Sequence, residues 1–233
     1  IELAQREMVR LNGDRVFRPL AEMYLSNFLQ VRRLYEDVYH TDILRAFRDL
    51  QESGCIEIMA SAATHAYLPL LEVNAEAVRA QIEVGIRTYE RFFGRRPAGF
   101  WLPECGYVPG FDSLLGRYGI RYFILETHGI AHAVPRPRYA HFAPVRCPSG
   151  VAAFGRDSDS SKQVWSANEG YPGDPAYREF YRDIGYDREE DYIAKYLPDG
   201  HRANLGIKYY RITGKDSQHK EPYSPDAARE RAA

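Results

Sequence analysis

The 233-residue sequence lacks several patterns that mark particular classes of protein. Its three cysteines, Cys55, Cys105 and Cys147, have no CxxC spacing, which argues against a disulfide framework and against a zinc knuckle. No apolar run approaches the roughly 20 residues that span a bilayer, and the N-terminus lacks the apolar segment of a signal peptide. The formal net charge is −1, without a dominant basic stripe. We therefore expect no nucleic-acid or membrane partner and a reducing, cytoplasmic location.

Nucleotide-binding and serine-hydrolase signatures are also missing, because GxGxxG, GxxxxGK[ST] and GxSxG do not occur. Aromatic residues, in contrast, are frequent, with 18 Tyr and 11 Phe beside 2 Trp. Planar rings can line a sugar-binding groove or simply fill a core, and composition leaves both interpretations open.

Hydrophobic periodicity and breaker residues predict alternating helices and strands over the first half of the chain. The predicted elements are a helix at 15–39, a helix from Thr41 to Leu50, a strand at 55–60, a helix that Asn74 begins and Gly94 ends, a strand at 99–102, a short helix at 109–118 and a strand at 120–125. This order is typical of an α/β fold with a parallel sheet. Each strand is followed by polar residues, and parallel strands bring their carboxyl ends to one edge.

Glu104 is the sharpest candidate for chemistry, because it follows a predicted strand and lies between Pro103 and Cys105. A retaining glycosidase needs one ionised carboxylate as nucleophile and a second, protonated carboxyl group about 5–5.5 Å away. The structural alternative is a glutamate that pairs with an arginine or caps the next helix.

His65 and His128 follow the first and third strands and could donate to a sugar hydroxyl or orient the nucleophile, or they could be structural. Together with Glu104 and Glu126 they could also be read as metal ligands, although zinc sites usually draw two ligands from a short local spacing.

Proline and glycine interrupt the sequence beyond Ala131, so we expect a long, irregular, aromatic-rich excursion after the third strand. We further expect a short helix at 187–196, a strand at 208–212 and an exposed, charged tail at 213–233. The excursion contains Trp165, Tyr171 and Tyr181, which could form a mobile lid or sugar-stacking wall, or could pack onto the sheet.

Three segments resemble glycoside hydrolase family 57, and more narrowly its 1,4-α-glucan branching enzymes. They are residues 57–69 (EIMASAATHAYLP), 99–107 (GFWLPECGY) and 127–129 (THG). The stretches 155–173 and 177–185 are similar to the branching-enzyme subgroup.

The resemblance implies part of a distorted, TIM-like (β/α)7 barrel, a retaining double displacement on α-glucan, no metal and no cofactor. By this resemblance Glu104 matches the nucleophile and His65 an active-site histidine. The remaining candidate substrate-binding residues are Trp101, His128, Trp165, Arg182 and Gly200.

The sequence departs from the family pattern in lacking a histidine-rich first strand and an aspartate that matches the family's acid/base. We therefore expect an internal piece of a longer enzyme, inactive in isolation. Its expected organisation is barrel at 1–130, loop-rich insertion and return at 131–212, and tail at 213–233. A family 57 α-amylase, a 4-α-glucanotransferase and, more remotely, a metal-dependent polysaccharide deacetylase remain alternatives. The oligomeric state is left open.

Overall fold

The computed structural model describes residues 1–214 and 219–233, which form two compact units. The first unit contains Ile1–Thr41 and Ser161–Ala233, and the second contains Asp42–Ser160. The predicted division at residues 130 and 212 concerns the organisation of a longer enzyme and remains a prediction.

Ten α-helices and five strands occur in the described residues. The helices are α1 (Glu2–Arg10), α2 (Arg18–Arg33), α3 (Ile43–Glu52), α4 (Ala75–Phe93), α5 (Phe111–Arg117), α6 (Thr127–Ala131), α7 (Ser158–Trp165), α8 (Ile184–Asp187), α9 (Glu190–Ile193) and α10 (Pro225–Ala232). The strands are β1 (Ala60–Ser61), β2 (Gly99–Trp101), β3 (Tyr122–Leu125), β4 (Val145–Arg146) and β5 (Ala152–Gly155). No helix among the described residues combines the length and the apolar character that crossing a membrane requires.

The second unit is built on one mixed, open sheet with strand order β1-β2-β3-β5-β4. The first four of these strands run parallel, and β4 is antiparallel to β5. This confirms the predicted α/β class, and an open sheet of this kind is compatible with part of a barrel.

Helices α4 and α5 cover one face of this sheet and supply its core. Ile82 of α4 and Leu115 of α5 are completely buried, as are Phe100 of β2 and Phe123 of β3. Burial of each such side chain contributes roughly 1.5–3 kcal/mol, so this layer stabilises the two central strands.

Helix α4 begins and ends where the sequence predicts. The Asn74 carboxamide oxygen accepts hydrogen bonds from the backbone N–H groups of Glu76 and Ala77 at 3.1 and 3.2 Å. At the other end Gly94 adopts φ 67°, the left-handed conformation that ends many helices.

Several predicted boundaries are wrong. The first strand is only Ala60–Ser61, since in the preceding segment the Ile58 N–H donates to the Gln51 side chain rather than to a neighbouring strand. Asp42, not Thr41, caps α3 by accepting from the Arg45 N–H at 2.9 Å.

Predictions for the later part of the chain also need correction. The excursion after the third strand contains β4 and β5, which the prolines and glycines around them concealed. The predicted strand at 208–212 forms only isolated bridges. The predicted tail contains α10, whose Ala228 is buried, and residues 215–218 of that tail lie outside the described part of the chain.

The first unit is mainly helical, and buried polar groups connect its distant segments. The fully buried Asp183 carboxylate accepts from the backbone N–H groups of Gly185, Leu205 and Gly206 at 2.7–3.0 Å. Each such bond to a charged group contributes about 1.5–3 kcal/mol.

Glu7 of α1 is a second fully buried carboxylate in this unit. It accepts two hydrogen bonds from Arg10, at 2.7 and 2.6 Å, and one from the Tyr209 hydroxyl at 2.8 Å. Burial opposes its ionisation, but the hydrogen bonds from Arg10 and Tyr209 help to outweigh burial and lower the pKa of Glu7 below 4.5.

We predict that Glu7→Gln lowers the free energy of unfolding by about 2 kcal/mol at neutral pH, because the charge-assisted bonds to Arg10 are lost. A depressed folded-state pKa gives stability that is present above the unfolded value and lost as the pH falls through the folded one. The difference in the free energy of unfolding between wild type and Glu7→Gln should therefore decrease as the pH falls below 4.5. Urea denaturation followed by circular dichroism measures both effects.

The matched control is Glu2→Gln on the same helix, which removes the solvent-exposed ion pair with Lys195 and should change the free energy of unfolding far less than Glu7→Gln does. Equal losses in the two variants, or a difference independent of pH, would contradict this account of Glu7.

Candidate functional site

The carboxyl ends of the four parallel strands share one edge of the sheet. The polar residues that follow them are His65 after β1, Glu104 after β2, Glu126 after β3 and Arg156 after β5. In open parallel sheets, ligands bind at the carboxyl ends of the strands. These side chains therefore form the candidate site.

Three residues in the loops after β1 and β2 adopt an unusual backbone conformation. His65, Glu104 and Cys105 have φ values of 54°, 51° and 54°, in the left-handed region that costs energy for residues other than glycine. Glu104 and Cys105 are consecutive, in a tight turn at Pro103–Cys105. Strain of this kind persists only where the surroundings enforce it, and it is concentrated at functional sites.

His65 and Glu104 form a pair at this edge. The His65 Nε2 atom lies 3.4 Å from Glu104 Oε1, and their side chains are 57% and 76% exposed. The contact is longer than an ordinary hydrogen bond, as catalytic contacts often are before substrate binds. A carboxylate so exposed can be reached by a ligand, and an imidazole beside it can orient it.

A close contact between two loops accounts for this pairing. A Cβ atom added at Gly106 would lie 2.4 Å from the Tyr67 ring and 3.0 Å from Pro69. Only glycine allows the loop after β2 to approach the loop after β1 so closely, and that approach brings His65 to Glu104.

Arg156 connects the ends of β2, β3 and β5. Its guanidinium lies 2.5 Å from the Glu126 carboxylate, and its backbone carbonyl accepts from the Thr127 hydroxyl. The same guanidinium lies within hydrogen-bonding reach of the Cys105 thiol. Burial raises the pKa of Cys105 against the opposing effect of Arg156, so this thiol is protonated near neutral pH and is not a reactive group.

Sequence reasoning missed Arg156 and its neighbour Asp157 as site residues. Both follow β5, and the rule that found Glu104 would have found them had that strand been predicted. Hydrogen bonds from the Ser160 hydroxyl and N–H, with a smaller effect of His141, lower the pKa of Asp157 to about 2. A carboxyl group that acidic is unsuited to be a general acid near neutral pH.

Two further predicted residues lie in the same unit. Trp101 in β2 is half-buried, and its backbone carbonyl accepts from the Ser61 hydroxyl at 3.0 Å. His128 lies exposed on α6, immediately after β3.

The other predicted residues, Trp165, Arg182 and Gly200, belong to the first unit, and their roles remain predictions. Trp165 is 75% exposed. Arg182 donates to Asp187 at 2.6 Å, and its guanidinium lies over the Tyr210 ring at 4.5 Å.

One cavity of the second unit lies apart from Glu104 and His65. A cavity of about 750 Å³ in the second unit is lined by Tyr107, Phe123, Val145 and Cys147, among others, but not by Glu104 or His65. Within residues 1–214 and 219–233, no three His, Cys, Asp or Glu side chains cluster closely enough to hold a metal ion.

Comparison with known proteins gives consistent matches over most of the chain. The model of glycosyl hydrolase family 57 matches residues 5–230. A 1,4-α-glucan branching enzyme of Thermococcus kodakarensis is 36% identical over 91% of this chain. Among solved structures, the α-amylase AmyC of Thermotoga maritima is 45% identical over 98% of the chain, with a TM-score of 0.89. A branching enzyme of Pyrococcus horikoshii is 36% identical over 99%, with a TM-score of 0.78.

These relatives are much longer than this chain. The match covers 33% of the T. kodakarensis enzyme, 45% of AmyC and 42% of the P. horikoshii enzyme. The chain therefore spans less than half the length of each of these relatives.

We predict that Arg156→Met increases the hydrogen-exchange rate of the Cys105 backbone N–H by roughly fivefold, because loss of the guanidinium costs about 1 kcal/mol of local stability. Hydrogen exchange followed by NMR measures this rate, since the Cys105 N–H donates to the Leu102 carbonyl at 2.8 Å and is released only when the turn opens.

The matched control is Arg87→Met, which removes an ion pair with Glu83 on α4 and should leave the Cys105 N–H exchanging as slowly as in wild type. Unchanged protection of Cys105 in Arg156→Met would show that Arg156 does not hold the turn.

Proposed function

Because the chain belongs to glycosyl hydrolase family 57, we propose that it carries the nucleophile of a retaining reaction on α-glucan, and that Glu104 is that nucleophile. The observation that carries the proposal is the Glu104 carboxylate itself. It is exposed, it lies in a strained left-handed turn, and His65 lies 3.4 Å away.

In this proposal a carboxylate oxygen of Glu104 attacks the anomeric carbon of an α-1,4-linked glucose as the bond to the leaving oxygen breaks. The product is a covalent β-glycosyl-enzyme, which an acceptor hydroxyl then resolves with overall retention. His65 holds the carboxylate in one orientation, which reduces the cost of reaching the reactive geometry.

A second carboxyl group must protonate the leaving oxygen. Two carboxyl groups after neighbouring strands are unsuited to this role, because the pKa of Asp157 is too low and a Glu126 oxygen is already engaged by Arg156. The resemblance to family 57 implies an aspartate as acid/base, and no aspartate of this sequence matches its motif, so we propose that this group comes from residues outside this sequence.

The acceptor decides between two activities. The T. kodakarensis and P. horikoshii relatives are branching enzymes, and their similarity favours transfer to the 6-hydroxyl of a glucan, which creates an α-1,6 branch. The similarity to AmyC favours an α-amylase, in which water is the acceptor. Product analysis of a longer protein that contains this chain separates the two, since branching forms α-1,6 linkages without releasing new reducing ends.

We predict that 5-fluoro-α-glucosyl fluoride labels Glu104 in this chain, because fluoride is a leaving group that needs no protonation by an acid/base residue. Intact-mass and peptide analysis should find one fluoroglucosyl group on wild type and none on Glu104→Gln.

Glu72→Gln, which changes an exposed carboxylate before α4, is the control and should be labelled like wild type. Labelling of Glu104→Gln at the wild-type rate would overturn the assignment of the nucleophile.

A further inference from the structure

A rigid turn at the carboxyl edge presents an aromatic ring to solvent. The turn Ala140–Phe142 lies between α6 and β4, and Phe142 is 81% exposed. The His141 ring packs against Phe142 with ring centroids 4.1 Å apart and an interplanar angle of 35°. One face of the Phe142 ring is therefore supported by His141 while most of its surface remains open.

Contacts to the end of β5 hold this turn in place. His141 Nε2 lies 3.1 Å from the Asp157 carboxylate, and the His141 side chain is only 15% exposed. A Cβ atom at Gly155 would lie 2.7 Å from the His141 Cβ atom, so glycine is required for this approach. Phe142 is thus an exposed ring on a fixed support, unlike the side chain of a mobile loop.

The position of the turn relates it to Glu104. Gly155 ends β5, which is separated from β2 by β3 alone. Neighbouring strands lie about 4.8 Å apart, so the carboxyl ends of β2 and β5 are separated by roughly 10 Å. A short oligosaccharide spans such a distance.

We propose that Phe142, supported by His141 and Asp157, is a platform on which a glucose residue of an α-glucan chain stacks, at some distance from the glucose that reacts at Glu104. The proposal rests on the function proposed above for Glu104. The C–H face of a sugar ring is apolar, and covering an exposed aromatic ring with it removes apolar surface from water. Because contacts to the end of β5 already hold the turn that carries this ring, little backbone freedom is lost on binding.

Affinity electrophoresis of the 233-residue chain through gels containing soluble amylose tests this platform. Phe142→Ala should raise the apparent Kd for amylose roughly three- to tenfold, whereas Phe142→Trp, which keeps a planar ring, should bind like wild type. Added maltohexaose should compete with amylose and restore the migration of the wild-type chain. Cellohexaose, whose glucose residues are β-linked, should not. Circular dichroism and thermal melting check that each variant is folded.

The matched control is Phe92→Ala, because Phe92 is also exposed but lies in the last turn of α4, which leads to the amino end of β2. Equal amylose affinity in wild type and Phe142→Ala would overturn the platform. So would an equal loss of affinity in Phe92→Ala, or no binding of amylose by the wild-type chain. Labelling of Glu104 by a single glucosyl fluoride does not require the platform, so the proposed function would still be tested separately.

Discussion

Parallel pairing of β1, β2, β3 and β5 is the constraint on which the candidate site depends. Four strands that run in one direction deliver the residues after them to one edge, although those residues are far apart in sequence. Burial of Phe100 and Phe123 under α4 and α5 fixes the strands themselves. A shift of one residue in either central strand would turn these rings to the other face and move every residue at the edge.

At that edge, tertiary contacts enforce a conformation that the local sequence disfavours. Glu104 and Cys105 both adopt the left-handed conformation, and neither is a glycine, for which that conformation would cost little. Two sets of contacts hold this turn. The buried Cys105 side chain lies beside Arg156, and Gly106 approaches the Tyr67 ring closely. The result is a carboxylate exposed to solvent on a backbone that has little freedom to move.

The sequence predicted elements well where periodicity and caps agreed, as in α4 between Asn74 and Gly94. The sequence did not predict β5 (Ala152–Gly155), because this strand is short and lies among prolines and glycines. Its extended conformation depends on pairing with β3. That failure also concealed Arg156. Glu104 and His65 were found because each follows a predicted strand, but their 3.4 Å contact depends on loop packing around Gly106, which no local pattern reveals.

The central claim is that an α-glucan binds along the carboxyl edge of this sheet with a glucose residue at Glu104. A crystal structure of the chain with a bound maltooligosaccharide tests it most directly. We expect a sugar ring whose anomeric carbon faces a Glu104 carboxylate oxygen, with His65 beside it. An oligosaccharide bound only in the cavity beside Tyr107, or away from the edge altogether, would show that the α-glucan does not bind at Glu104.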